Sequence, residues 1–208
     1  MELPQLLRCL SLSDYIAFDF ETTGLSPEDD RIIEIAAIKF VNGNLADRFV
    51  KLINPERPID PFITDITGIS DNMVRDKPIE SDIIDEFLEF LSDLPLVAHN
   101  ISFDKSFLDA LCERFKKPKK INPLFDTLQL SRTFLFFHPV HDLGSISEYF
   151  GFSSAGSHRA EKDTENCGVI FQRLIREAAS YPLKTITKLL DIIRSCNAPN
   201  LKLYINLA

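Results

Sequence analysis

The chain has 208 residues, of which 45% are hydrophobic, and a formal net charge of −8 at pH 7. This length suits one domain with a sizeable core, and the acidic balance argues against a broad electrostatic surface for nucleic acid. The four cysteines form no CxxC pair and no run approaches a membrane span of about 18 apolar residues, so we expect a cytoplasmic protein without a disulfide framework, structural zinc site or membrane association.

Hydrophobic patterning divides the chain into alternating strands and helices. Three strands are predicted first, over residues 15–20, 31–41 and 45–53. The turn-forming triplet Asn42-Gly43-Asn44 joins the last two, so we expect an antiparallel meander. Prolines and Asn/Asp clusters over 55–78 predict a loop with short helical turns, and the spacing over 81–91 predicts an amphipathic helix.

The second half continues the alternation. Short strands are predicted over residues 95–100 and 121–126, and helices over 103–115, 126–136, 142–150 and 159–178. Helices following strands in this way predict an α/β layered fold. Residues 181–196 show a further amphipathic pattern, which fits either a packed C-terminal helix or the beginning of a linker.

Two acids stand at the end of the first strand. Asp19 and Glu21 are two residues apart, so their side chains point to one face of the strand while Phe20 points to the other. Two adjacent carboxylates repel each other unless a cation neutralises them, and hard oxygen ligands suit Mg²⁺ or Mn²⁺. The alternative is that the strand simply ends there with its acids in water.

Three motifs along the chain carry a family resemblance. The run DFETTGL, followed by IIEIAAIKF, resembles the first motif of the DnaQ-like (DEDDh) 3′-5′ exonucleases. AHNISFDKSFL is similar to their second motif, with Asp104 in place, and HRAEKD to their third, with His158 and Asp163. A sister branch has tyrosine where this chain has Arg159, so the chain fits the histidine branch.

The resemblance implies a fold and a domain organisation. The fold is α/β: a ribonuclease-H-like mixed five-stranded sheet flanked by helices. The exonuclease domain would cover residues 1–178, with 1–13 as a lead-in. Residues 179–208 would form a C-terminal helix and tail, either a packed extension or the start of a linker.

It also implies a catalytic arrangement around two divalent metal ions, Mg²⁺ or Mn²⁺. Asp19 would bridge the ions, Glu21 and Asp163 would hold the ion on the nucleophile side, and Asp104 would act on the second. His158 would be the general base. Five helical steps rotate a side chain by about 140° relative to its start, so we place His158 on the loop before the helix that carries Asp163.

For the substrate, the resemblance suggests that the backbone of Thr22, Thr23 and Gly24 meets the 3′-terminal nucleotide, with Leu25 against its base. Phe103 would either stack on a base or pack in the core. His99 and Asn100 are also candidate substrate-binding residues: they would brace the site, contact the substrate directly, or satisfy the end of their strand with hydrogen bonds. The basic run RFKKPKK, residues 114–120, would either contact phosphates or lie solvated at a helix end.

The function expected is hydrolysis of phosphodiester bonds at the 3′ end of single-stranded or frayed DNA, which releases nucleoside 5′-monophosphates. Two alternatives stay open: an enzyme that trims RNA or short oligonucleotides, and a catalytically silent module that binds nucleic acid. The partners expected are single-stranded 3′ ends and a DNA polymerase or helicase module. The sequence does not distinguish DNA from RNA, because that choice depends on the pocket around the 2′ position.

Overall fold

The computed structural model describes residues 12–152 and 160–181, which form a mixed five-stranded sheet flanked by helices. The strands are β1 Tyr15–Thr22, β2 Ile32–Val41, β3 Asn44–Leu52, β4 Leu96–Ala98 and β5 Leu124–Asp126, arranged in the order β3-β2-β1-β4-β5. β1, β2 and β3 are antiparallel neighbours, whereas β4 is parallel to both β1 and β5. The predicted fold class and the antiparallel meander are therefore confirmed.

Seven helices are found in the described residues. They are α1 Pro61–Thr67, α2 Asp71–Val74, α3 Glu80–Leu91, α4 Ile101–Arg114, α5 Thr127–Phe134, α6 Leu143–Tyr149 and α7 Ala160–Ser180. The two short helices α1 and α2 are the helical turns predicted within the proline-rich loop. Within the described ranges, every helix is too short or too polar to cross a bilayer.

Local sequence explains where several helices begin and end. Asp60 precedes Pro61 and accepts a hydrogen bond from the Phe62 amide, which starts α1, and Gly68 ends it with a φ of 71°. Asp126 caps α5 by accepting a hydrogen bond from the Leu128 amide at 2.9 Å.

The middle strand β1 separates two cores. Ile16, Phe18 and Phe20 pack on the side of α3 and α4, whereas Tyr15 and Ala17 pack on the side of α5, α6 and α7. This division follows from the alternation of side chains along a strand. Asp19 and Glu21 continue the second series, so their carboxylates lie on the α7 side, at the end of the strand.

Some predictions lie outside the described residues. The predicted helix over 181–196 and most of the expected C-terminal segment fall there, as does nearly all of the lead-in. The choice between a packed extension and a linker for residues 179–208 therefore stays open.

Candidate active site

The two acids of β1 lie on one face, as their spacing predicts. Both carboxylates are partly buried, and Phe20 between them is buried in the opposite core. The ladder with β2 shifts register between Glu21 and Thr22, immediately after the second acid, and pairing then continues from Thr22 to Ile32.

A third carboxylate belongs to the same surface and was missed by the sequence analysis. Glu34 on β2 is paired directly opposite Glu21 and is only 4% exposed. Its negative charge raises the pKa of both Asp19 and Glu21. The signal was present in the sequence, because Glu34 is the one charged residue in the apolar run IIEIAAI.

Asp104 joins the site from the other side of the sheet. It lies in the first turn of α4, is 3% exposed, and its Oδ1 accepts a hydrogen bond of 3.0 Å from the amide of Phe20. The second motif is thus attached to the backbone between the two acids of the first.

Asp163 lies in the first turn of α7, which packs over β1 and β2. Its charge raises the pKa of Asp19 and of Glu21, so the third motif is also electrostatically coupled to the first. α7 begins at Ala160, so the predicted helical position of Asp163 is confirmed. His158 lies outside the described residues, and its role as a base stays a prediction.

The acids of the site destabilise one another's charged forms. Burial first, and then the charges of Asp163 and Glu34, raise the pKa of Asp19 to about 7. Burial followed by the charge of Asp19 raises the pKa of Glu21 to about 8. The pKa of Asp104 is raised well above its usual value, mainly by burial and then by Asp19. Such a cluster gains stability from a bound cation.

This donor set fits a hard divalent cation, because every donor is a carboxylate oxygen. In the conformation described, however, no three carboxylate, imidazole or thiol groups of residues 12–152 and 160–181 converge closely enough to enclose one ion. The structure therefore brings the acids into electrostatic contact. Metal ligation by them is a separate proposal.

The loop after β1 is closely hydrogen-bonded. The Thr22 hydroxyl donates to the Gly24 carbonyl at 2.6 Å, and the Thr23 hydroxyl donates to Asp30 at 3.0 Å. Leu25 points into solvent with 84% of its surface exposed. The loop thus exposes an apolar side chain to water, and contact of Leu25 with a substrate base stays a prediction.

His99 and Asn100 brace the end of β4. The His99 Nδ1 lies 3.0 Å from the Thr127 hydroxyl, and burial lowers the pKa of this histidine to about 4. Asn100 adopts a left-handed conformation, and its amide donates to the Asp126 carboxylate at 3.0 Å. These contacts satisfy polar groups at the end of β4, and contact of either residue with the substrate stays a prediction.

Phe103 and the side chains of the basic run make contacts within the protein itself. The Phe103 ring lies 5.0 Å from that of Phe107 and packs against the core. In the basic run, four of the cationic side chains already have partners: Arg114 pairs with Glu80, Lys117 with Asp85 and Lys119 with Glu113, and Lys120 donates to the Ser92 carbonyl. Both observations favour the structural alternatives.

Curated relatives similar to this chain are large DNA polymerases. The chain is 37% identical over 195 residues to the PolC-type DNA polymerase III of Bacillus subtilis, covering 92% of this chain and 13% of the relative. It is 40% identical over 171 residues to the corresponding polymerase of Streptococcus pneumoniae, covering 82% and 12%. The chain therefore spans only about an eighth of the length of these relatives.

Solved structures with the same fold are nucleases. Exonuclease X in complex with 5′ overhanging duplex DNA matches with a TM-score of 0.64 and 24% identity, over 82% of this chain and 95% of that one. E. coli Exonuclease I in complex with a dA16 oligonucleotide matches with a TM-score of 0.69 and 19% identity, over 79% and 42%. At these identities the likeness shows the fold.

A family model described as an exonuclease matches residues 16–171. This range contains all three motifs and every described acid of the site. The predicted class, an exonuclease domain, is thereby confirmed, and the chain belongs to the DnaQ-like exonuclease family.

Proposed function

We propose that this chain is a metal-dependent 3′-5′ exonuclease that releases nucleoside 5′-monophosphates from single-stranded or frayed DNA ends. The observation that carries the proposal is the electrostatic coupling of Asp19, Glu21, Asp104 and Asp163, which come from three separate elements, with the pKa values of the first three raised. Maintaining such repulsion in a fold is costly, and a bound cation would offset that cost.

Asp19, Glu21, Asp104 and Asp163 would hold two divalent ions, Mg²⁺ or Mn²⁺. Bound there, the ions would supply a nucleophile at neutral pH and neutralise the charge that builds on the phosphate. The hydrogen bond from the Phe20 amide to Asp104 Oδ1 holds this carboxylate beside the strand that carries Asp19 and Glu21. His158, immediately before α7, would accept the proton of the attacking water.

Substrate and partner are inferred from the relatives. Polymerases of the PolC type support DNA as the substrate and a DNA polymerase as the physiological context. The family match supports an exonuclease domain within residues 1–178. The backbone of Thr22 to Gly24 and the exposed Leu25 would receive the 3′-terminal nucleotide.

The test is a time course on a 5′-labelled single-stranded DNA, run beside an RNA of the same sequence. With Mn²⁺ we expect a ladder that shortens from the 3′ end, faster on DNA, and no ladder with EDTA. Asp104→Asn should abolish the ladder, because the charge near the acids of β1 is lost while the side chain keeps its size.

Asp109→Asn is the matched control, because this acid is on the same helix but pairs with Lys105 and not with the acids of β1. It should keep full activity. Faster degradation of the RNA would replace the DNA proposal with the RNA-trimming alternative. Binding without degradation of either strand would contradict exonuclease activity and favour the silent module.

A further inference from the structure

The connection between β1 and β2, residues 23–31, is called the Leu25 loop here. It begins two residues after Glu21 and carries Leu25 at 84% exposure. A single exposed leucine needs no explanation. The hydrogen bonds that hold the loop around Leu25 are more informative, because loops of this kind are usually among the most mobile parts of a fold.

The carboxylate of Asp30 fills the inside of the loop. Its Oδ1 accepts from the Thr23 hydroxyl and its Oδ2 from the Ser26 amide, each at 3.0 Å. The Asp30 amide donates back to the Ser26 carbonyl at 2.7 Å. One side chain therefore fixes residues on both sides of Leu25.

Gly24 makes this close approach possible. A Cβ on Gly24 would lie 2.3 Å from Asp30 Oδ2, well inside the contact distance of the two atoms. The position of the Asp30 carboxylate therefore requires a glycine at position 24. Substitution of either Gly24 or Asp30 tests the hydrogen bonds that Asp30 makes within the loop.

Arg114 supports the loop from outside. Its Nη2 donates to the carbonyls of Pro27 and Asp30 at 3.1 and 3.2 Å. Its Nη1 pairs at 2.5 Å with Glu80, which is 5% exposed and whose Oε1 accepts from the Ile32 amide at the start of β2. Helices α3 and α4 are thereby connected to the loop through one buried ion pair.

We propose that Asp30 and Arg114, the latter held by Glu80, are positioning residues that fix Leu25 for contact with the 3′-terminal nucleotide. This inference rests on the proposed exonuclease function. A preorganised apolar side chain loses little conformational freedom on binding, which favours affinity. Misplacement of a substrate contact by about 1 Å can cost about 100-fold in rate.

The first experiment measures KM and kcat on a labelled single-stranded DNA for Asp30→Ala and Leu25→Ala, singly and together. Each single variant should raise KM about 10-fold and change kcat less than about 3-fold, since the acids are untouched. The double variant should be no worse than Leu25→Ala, because Asp30 acts through Leu25. Additive losses would overturn the inference.

Arg114→Ala leaves Glu80 buried without a cation, which threatens folding. The paired change Arg114→Gln and Glu80→Gln avoids this and should raise KM to a similar extent. Arg57→Ala is the matched control, because Arg57 also donates to this loop, at the Asp29 carbonyl, without touching Asp30 or Glu80. An equal effect of Arg57→Ala would overturn the assignment.

A second readout requires no activity. Hydrogen exchange at the Ser26 amide, which donates to Asp30, should be slow in the wild type and fast in Asp30→Ala. The Thr23 amide donates to the Arg31 carbonyl at 2.8 Å and should stay protected in both proteins. As a single variant, Gly24→Ala should speed exchange at the Ser26 amide. Combined with Asp30→Ala it should have no further effect, because the missing carboxylate leaves room for the added methyl group. Loss of protection with unchanged KM would overturn the positioning role and leave the exonuclease proposal intact. A wild type that protects these amides but degrades no DNA would overturn both.

Discussion

The two ends of β1 treat buried polar groups in opposite ways. At the start, the Tyr15 hydroxyl donates to the Gly168 carbonyl at 2.9 Å and accepts from Gln172 at 2.7 Å. At the other end, Asp19 and Glu21 lie on one face of the sheet with Glu34, and burial together with neighbouring negative charges raises the pKa of both. One end satisfies its polar atoms within the fold, whereas the other accumulates repulsion that a ligand would relieve. We infer that the first end serves stability and the second serves chemistry.

The sharpest test of this division is Asp19→Asn. Exonuclease activity should fall by at least about 1,000-fold, because stabilisation of the transition state by bound cations is worth several kcal/mol. The metal-free protein should nevertheless melt at a higher temperature at pH 8, because a repelling charge is removed. Activity assays and thermal melts on one preparation measure both. Asp47→Asn, an exposed acid on β3, should change neither, and a lower melting temperature for Asp19→Asn would contradict the division.

The second test is the pH dependence of stability in EDTA. The pKa values of Asp19 and Glu21 rise from 3.8 and 4.5 in their usual state to about 7 and about 8 in the fold, so the native state binds more protons than the unfolded state. The free energy of unfolding should therefore fall as pH rises from about 4 to about 8, by on the order of 3 kcal/mol in all, since partial exposure weakens the effect.

Melts from about pH 4 to about pH 9 measure this loss, at about 2–4 °C for each kcal/mol. Saturating Mg²⁺ should flatten the slope, and Asp19→Asn should reduce it. A melting temperature that rises through this window in EDTA would contradict the raised pKa values, because it would mean that the fold stabilises the ionised form of these acids.

The third test disturbs the other end of the strand. A Cβ on Gly168 of α7 would lie 2.3 Å from Phe40, whose ring stacks on Tyr15 at 4.8 Å. Gly168→Ala should therefore lower the free energy of unfolding by about 1–3 kcal/mol. Urea titration measures the loss, and Phe40→Leu in the same chain should restore part of it. The turnover number at saturating metal should change little.

The smallest expected effect belongs to Tyr15→Phe. It removes one hydroxyl, while Gln172 keeps its other hydrogen bond to the Gly43 carbonyl. We expect a loss of about 1 kcal/mol and full activity, measured by the same titration and assay. A large loss of activity would show that the two ends of β1 are coupled.

The sequence predicted most of the elements because their signals are local. The apolar run of β1 and the spacing in α3 and α4 depend on neighbours a few residues apart, and so does the shared face of Asp19 and Glu21. Asp104 and Asp163 required the family resemblance, because acids in the first turn of a helix are common stabilising features.

The remaining contacts depend on distant parts of the chain. Glu34 meets Glu21 only through the strand register, which the sequence does not fix. Arg114 looks like part of a basic run in the sequence, and only the packing of α3 beside α4 reveals its partner Glu80. Single-sequence reasoning identifies such side chains without identifying what they touch.

The packing of α7 on β1 also bears on biosynthesis. The bond between Tyr15 and Gln172 joins residues 157 positions apart, and Asp163 lies on the same late helix. A chain emerging from the ribosome can pair β1, β2 and β3 early, since those contacts are short in sequence. Its last acid arrives only when α7 has been translated and docked. An unfinished chain therefore lacks a complete acidic site and would have no nuclease activity until the domain has folded.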